Sequence, residues 1–201
     1  MKQSLPHGDP VMVRQGDANE GYKRLPEGLK AVNELGAAGL DTFEDPIQGG
    51  VTEYAELRRR ARGAKIMVDA LARRTGDPTS VLRADAADMI GIHPDQAGSL
   101  SRVMQHARLA KAFGVPVVIG GTGYTAVGTA AYQHLTAVAT PGSPCGELGG
   151  VFDHGMPCSL VKRPLPMQHG SVVLSDEPGT GVDLDENALA NVEGGRKEWS
   201  K

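Results

Sequence analysis

The chain has 201 residues, of which 21 are basic and 24 acidic, so the net charge is −3 and gives no electrostatic basis for binding nucleic acid or a membrane surface. Hydrophobic residues make up 40% of the chain, but no apolar run approaches the roughly 18 residues of a membrane span. Two cysteines cannot form a disulfide framework and are expected to be reduced thiols, which predicts a cytoplasmic globular protein.

Short β-like runs alternate with helical patterns along the first 140 residues. The predicted strands, in chain order, are residues 11–13, 40–43, 65–69, 89–93 and 115–119. The predicted helices, in the same order, are residues 29–38, 52–62, 100–113 and 126–139, and a turn-rich region follows from residue 140. Strands that alternate with helices at this spacing indicate βαβ units and a parallel sheet.

Polar residues recur where the predicted strands end. Asp17, Glu44, Asp69 and His93 follow one another at separations of 24 to 27 residues, which is close to one βα unit. A barrel of βα units brings one residue from each strand end to a common mouth, whereas an open doubly wound sheet concentrates its ligands at one switch point. The pattern therefore predicts an α/β fold of the TIM-like (β/α) barrel type.

Three acids at neighbouring strand ends predict a metal site. Unpaired carboxylates that converge repel one another, and their burial costs several kcal/mol each. A divalent cation removes this cost, and ligands that are all oxygen favour Mg²⁺ over Zn²⁺. A single acid at such a place is also typical of a solvated strand end or a helix N-cap, but three in register favour the metal.

Several short segments resemble motifs of one enzyme family, in the same order and spacing. They are residues 16–22 (GDANEGY), 43–46 (FEDP), 68–69 (VD), 87–100 (ADMIGIHPDQAGSL), 115–118 (VPVV) and 178–185 (PGTGVDLD). The family is the mandelate racemase and muconate lactonizing enzyme branch of the enolase superfamily, and the resemblance covers about residues 11–190.

The resemblance implies that the chain is a partial barrel. In the family order the strand that carries Asp17 is the third, so residues 1–201 would form one partial barrel domain with strands 3–8. The core would cover residues 11–155, and residues 156–201 would form a C-terminal extension. The N-terminal capping domain and the first barrel strands would have no counterpart in this chain.

The family chemistry implied by the resemblance is Mg²⁺-dependent removal of the proton α to a carboxylate, with stabilisation of the enediolate. This leads to racemisation or epimerisation, dehydration or cycloisomerisation, so the expected enzyme is an isomerase or a lyase. Asp17, Glu44 and Asp69 are carried over as the metal ligands, and Asn19 is expected to support them from outside. The expected substrate is a small carboxylic acid, such as an acid sugar or an amino-acid derivative, and the full-length form is expected to be a homo-oligomer.

Four residues are candidates for proton transfer or substrate contact. His93 lies where related enzymes carry a Lys or Asp that handles the proton, and an imidazole titrates near neutral pH; it is also typical of a packed strand-end residue. Asp95 would orient His93 or be exposed. Tyr124 is a substitute for the family's usual His or acid at the next strand end, and Glu147 is a candidate substrate contact or a surface residue.

Two other functions remain open at this point. The first is a catalytically inactive remnant of such an enzyme. The second is a nucleotide-binding α/β protein, suggested by the glycines at residues 120–123, although these lack the spacing of the dinucleotide-binding motif.

Overall fold

The computed structural model describes residues 13–121, 124–140, 159–168 and 171–192. The chain divides into two compact units, Met1–Met89 and Ile90–Lys201. Up to Ala139, each strand is followed by one or two helices, as the sequence predicted.

The first unit contains three βα segments. Its elements, in chain order, are β1 (Gln15–Asp17), α1 (Leu25–Ala37), β2 (Thr42–Glu44), α2 (Val51–Arg60), β3 (Lys65–Val68), α3 (Ala70–Arg74) and α4 (Thr79–Arg83). β1 and β3 pair in parallel with opposite sides of β2. Because all three strands run the same way, their carboxyl ends share one edge of the sheet.

Helix α1 shows why the sequence forms these elements. A proline lies in its first turn, where the missing amide hydrogen costs no helical hydrogen bond. Gly28, Ala31 and Val32 form its buried face at the i, i+3, i+4 spacing. The segment after the helix turns at Gly39, whose φ of +100° is a conformation that glycine adopts without strain.

The core of the first unit lies between the sheet and the helices. Its fully buried side chains include Val32, Tyr54, Leu57, Ile66 and Val68. Tyr54 also donates a buried hydrogen bond from its hydroxyl group to the carbonyl of Ile47 at 2.7 Å, which fixes the segment that follows β2.

Among the described residues, the second unit contains two parallel strands, a short antiparallel pair and the other four helices. Its elements, in chain order, are β4 (Met89–Ile92, which begins at the unit boundary), α5 (Pro94–Ala97), α6 (Leu100–Ala112), β5 (Val117–Ile119), α7 (Ala126–Ala139), the antiparallel pair β6 (Met167–Gln168) and β7 (Ser171–Val172), and α8 (Glu186–Ala190). Ile92 and Ile119 are register partners, so β4 and β5 end side by side.

The first strand lies later than the sequence predicted. The structure places β1 at Gln15–Asp17, with residue 13 outside it and residues 11 and 12 outside the described part of the chain. The ladder begins at Arg14, whose carbonyl accepts hydrogen bonds from the amides of Asp41 and Thr42 at 2.9 and 3.2 Å. Pairing with β2, rather than the apolar run at residues 11–13, therefore decides where the strand forms.

Within the described ranges, no helix combines the length and the apolar character that crossing a bilayer requires.

Candidate metal centre

Three acidic residues lie at the carboxyl ends of the parallel strands of the first unit. Asp17 and Glu44 are the last residues of β1 and β2 and are register partners in the ladder. Asp69 directly follows Val68, the last residue of β3. Since paired strands lie about 4.8 Å apart, the three predicted ligands are carried at neighbouring positions on one edge of the sheet.

Among the three predicted ligands, Glu44 and Asp69 are the two whose carboxylates lie close together. A carboxylate oxygen of Glu44 lies within 4.8 Å of one of Asp69, and only 4% of Glu44 is exposed. The Nε2 amide of Gln15 donates a hydrogen bond of 2.8 Å to Oε2 of Glu44 and holds that carboxylate in place. Two carboxylates at this separation repel each other unless a cation or a proton lies with them.

Asp17 is exposed and is held by its own turn. The backbone amide of Asn19 donates to Oδ1 of Asp17 at 2.7 Å, and the Asn19 side-chain amide donates to Oδ2 at 2.6 Å. Asn19 and Glu20 both have positive φ angles, of 45° and 57°, so the chain turns sharply directly after the strand. Asn19 thus donates a hydrogen bond to each oxygen of the Asp17 carboxylate, and its support of a metal ligand stays a prediction.

A fourth acid, Asp45, belongs to this group and was not singled out from the sequence. Its side chain is buried, and its two oxygens accept hydrogen bonds from the backbone amides of Asp69 (3.1 Å) and Ala70 (2.9 Å). Burial is the main cause that raises the pKa of the Asp45 carboxyl to about 6; the charges of Asp69 and Asp17 act in the same direction, and the two amide hydrogen bonds act against it. The signal in the sequence was a second acid between Glu44 and Pro46, in the segment FEDP.

The donor set fits a hard divalent cation. The three predicted ligands offer carboxylate oxygens, which Mg²⁺ prefers. Two oxygens bound to one Mg²⁺ lie at most about 4.2 Å apart, because each Mg–O distance is about 2.1 Å. The upper limit of 4.8 Å on the separation between Glu44 and Asp69 is compatible with joint binding, whereas Asp17 is not part of that group of described residues.

His93 lies in the second unit, directly after β4, as the N-cap residue of α5. It is buried, and its imidazole packs against Gly120 at the end of β5. A Cβ atom on residue 120 would lie only 2.3 Å from Nε2 of His93. A glycine at this position thus makes the space that the imidazole fills.

Asp95 and Tyr124 form a pair in the second unit. The Tyr124 hydroxyl donates a hydrogen bond of 2.5 Å to Oδ1 of Asp95, and the Tyr124 ring packs at a tilt against Tyr132, with ring centroids 6.1 Å apart. The structure thus connects two residues that the sequence singled out separately. Glu147 lies in residues 141–158, outside the described residues.

Parallel βα segments with acids at the strand ends define the class of this protein as an α/β fold of the barrel type. Comparison with known proteins identifies the family. The family model for the enolase C-terminal domain-like family matches residues 3–188, and the chain belongs to this family. Its fold is a part of the family's (β/α) barrel, as the sequence predicted.

The chain is similar to several characterised members. It is 32% identical to muconate cycloisomerase 1 of Rhodococcus opacus over 92% of this chain and 47% of the relative, and 35% identical to o-succinylbenzoate synthase of Thermobifida fusca over 85% and 50%. A crystal structure of a mandelate racemase/muconate lactonizing protein from Paracoccus denitrificans PD1222, complexed with magnesium, superimposes with a TM-score of 0.76 at 26% identity, over 90% of this chain and 47% of that one. The chain thus spans about half the length of the curated relatives it matches.

Proposed function

We propose that this chain carries the Mg²⁺ site and the acid/base groups of an enzyme that removes the proton α to the carboxylate of a small carboxylic acid. The observation that supports the proposal most directly is the placement of three carboxylates at the ends of three adjacent parallel strands. The relatives add support, since their names describe a cycloisomerase and an o-succinylbenzoate synthase. The reaction is a racemisation or epimerisation, a dehydration or a cycloisomerisation.

Asp17, Glu44 and Asp69 would hold the cation. When bound, Mg²⁺ supplies a positive charge that stabilises the negative charge developing on the substrate carboxylate as the α-proton leaves. Gln15 orients Glu44, and Asn19 orients Asp17, through the hydrogen bonds described above. Both amides therefore reduce the freedom of a ligand before the cation arrives.

His93 is the proposed acid/base group. An imidazole can act as a general base and then as a general acid, and the contact with Gly120 limits the orientations of the His93 ring. Tyr124 is proposed to replace the family's usual His or acid at the next strand end, with Asp95 as its hydrogen-bond partner, and Glu147 is proposed to contact the substrate. The hydrogen bond from Tyr124 fixes the Asp95 carboxylate, which can then accept a hydrogen bond from a substrate group.

Metal binding tests the first part of the proposal. In the full 201-residue chain, calorimetric titration with Mg²⁺ and Mn²⁺ is expected to show one site, and Glu44→Gln or Asp69→Asn is expected to weaken it by about tenfold or more, because each removes an ionised ligand. Asp41→Asn is the matched control, since Asp41 is a half-exposed aspartate at the opposite end of β2. Equal weakening by the control, or wild-type protein that binds neither ion, would contradict the proposed site.

The reaction class requires a second experiment. Exchange of an α-proton for deuterium in D₂O, measured by NMR with Mg²⁺ and a panel of acid sugars and amino-acid derivatives, detects the shared first step of all three reactions. The full-length protein that contains this chain is expected to catalyse the exchange. A protein that binds the metal but exchanges no α-proton in the panel would favour a remnant that has kept only the metal site.

A further inference from the structure

Asp45 is a buried acidic residue, and packing alone does not explain why an acid lies at this position. It is 3% exposed and lies directly after Glu44, yet it is an acid in a group that already contains Asp17 and Asp69. A buried carboxylate among other carboxylates costs free energy. A carboxylate at this point therefore calls for a function that an apolar side chain would not perform.

The hydrogen bonds of Asp45 indicate that function. Its Oδ1 atom accepts from the amide of Asp69 and its Oδ2 atom from the amide of Ala70, at 3.1 and 2.9 Å. Its own backbone amide donates to the carbonyl of Met67 at 3.1 Å, and its carbonyl accepts from the amide of Glu20 at 2.7 Å. One residue thus connects the segments that follow β1, β2 and β3.

The backbone at Asp45 directs the side chain toward β3. Its φ angle is +40°, in the left-handed region that non-glycine residues seldom adopt. In a regular strand, consecutive side chains point to opposite faces. The turn at Asp45 breaks that alternation, so that Glu44 remains at the strand end while the next side chain reaches sideways to the amides after β3.

We propose that Asp45 is a positioning residue for the metal site: it fixes the backbone that carries Asp69, and so keeps Asp69 and Glu44 at the separation at which both bind one divalent cation. The inference rests on the proposed function, because it takes Glu44 and Asp69 as metal ligands. A carboxylate suits this task because its two oxygens accept two amides at once, whereas an asparagine side chain has one acceptor oxygen.

Asp88 provides a matched control at the other end of the same strand. Its Oδ2 atom accepts from the amide of Ile66 at 2.8 Å, and its Oδ1 atom accepts from Nε of Arg58 at 2.8 Å. Asp88 therefore also fixes β3 through a backbone amide, but at the end away from Asp69. Loss of its carboxylate removes a similar support without changing the backbone on which the ligand stands.

The experiment compares Asp45→Asn, Asp45→Ala and Asp88→Asn in the full chain, with Mn²⁺ as the probe. Calorimetry gives the dissociation constant, and urea unfolding without metal gives the loss of stability. We expect Asp45→Asn to raise the dissociation constant by about 10- to 100-fold, as is typical when a residue that supports a metal ligand is lost. Asp88→Asn is expected to change it by less than about twofold at a comparable loss of stability.

Asp45→Ala separates positioning from simple charge. Both Asp45 variants remove the same negative charge, but Asn keeps one acceptor for an amide and Ala keeps none. Positioning predicts weaker binding for Ala than for Asn, together with faster hydrogen exchange at the amides of Asp69 and Ala70. Equal dissociation constants for the two variants would assign the effect to charge and overturn the inference.

The remaining outcomes are also decisive. Equal weakening by Asp45→Asn and Asp88→Asn would show general destabilisation and would overturn the inference, as would unchanged binding in Asp45→Asn. If Asp45→Ala does not fold, hydrogen exchange at the amides of Asp69 and Ala70 in Asp45→Asn decides, since loss of charge alone would leave both amides protected. Glu44→Gln distinguishes the two proposals. If Mn²⁺ binding is unchanged in Glu44→Gln, the proposed metal site is wrong. If Mn²⁺ binding is abolished in Glu44→Gln but is not weakened in Asp45→Asn, only the proposed role of Asp45 is wrong.

Discussion

The contact between His93 and Gly120 restricts which side chain residue 120 can carry. The imidazole is buried and occupies the position where a Cβ atom would stand. In a close-packed interior such an overlap is relieved by moving one of the two groups. Residue 120, which follows β5, therefore has to be a glycine as long as the His93 imidazole, which follows β4, keeps its position.

Gly120→Ala is expected to displace the His93 imidazole and to lower the free energy of unfolding by about 1–3 kcal/mol, since overpacking of a core costs that much. Urea unfolding measures the loss, and the NMR shifts of the imidazole report its displacement. Gly16→Ala is the control, because the nearest atoms to its Cβ would be Leu40 side-chain carbons at an ordinary 3.5 Å. Equal stability of both variants would mean that the imidazole moves aside without cost.

His93→Asn is expected to lower kcat for α-proton exchange by about 10²-fold or more in the full-length protein, because an amide cannot transfer the proton as an imidazole does. His106→Asn makes the same chemical change on helix α6 and is expected to leave kcat unchanged. Solvent exchange followed by NMR measures both. Unchanged turnover in His93→Asn would mean that His93 packs against its neighbours or binds substrate and does not transfer the proton.

At the scale of elements, Arg74 at the end of α3 joins two of the segments that follow the strands. Its guanidinium donates to the Glu20 carboxylate and, at 2.9 Å, to the carbonyl of Gly49. Glu20 follows β1 and Gly49 follows β2. The side chain thus links the turn that holds Asp17 to the segment after Glu44.

Arg74→Ala is expected to loosen both segments and to lower the free energy of unfolding by about 1 kcal/mol; the Arg74 side chain is 43% exposed, so solvent screens the ion pair. Hydrogen exchange should become faster at the amides of residues 19–21 and 48–50. Arg73→Ala removes the exposed neighbouring arginine and is the control. Unchanged exchange in Arg74→Ala would show that backbone hydrogen bonds alone hold these segments.

Sequence periodicity predicted most elements because buried faces recur at regular spacing. It placed the first strand too early, since an apolar run marks burial but not the partner that a strand pairs with. It also predicted no helix between residues 69 and 89, whereas α3 and α4 form there, on either side of Asp77. The predicted acids were found because each ends a strand; Asp45 was not, because its function depends on a positive φ angle and on amides 24 and 25 residues away.

At the scale of the whole molecule, the edge of the first unit is the feature that affects behaviour in solution. Among the described residues, β1 pairs with β2 on one side only, and Val13 beside it is 54% exposed. An exposed strand edge next to apolar surface is a template for pairing with another chain. We therefore expect the 201-residue chain by itself to associate with further copies.

Analytical ultracentrifugation over a range of concentrations tests this expectation. Val13→Lys should reduce association, because a charged residue at a strand edge opposes pairing between chains. Val138→Lys is the control, since Val138 is an exposed valine on helix α7 in the second unit. A monodisperse monomer at every concentration would contradict the expectation.

The carboxylates of Asp88 and Asp45, which accept hydrogen bonds from the two ends of β3, also favour the correct register of that strand during folding. Asp88 accepts from the amide of Ile66, and Asp45 accepts from the amides of Asp69 and Ala70, so both ends are matched to particular residues. A slip of β3 by one residue would turn every side chain to the opposite face, and would also break all three of these bonds. A misaligned β3 would therefore lose both its side-chain packing and these hydrogen bonds. Asp69, which follows β3, reaches its position only when the strand is correctly aligned.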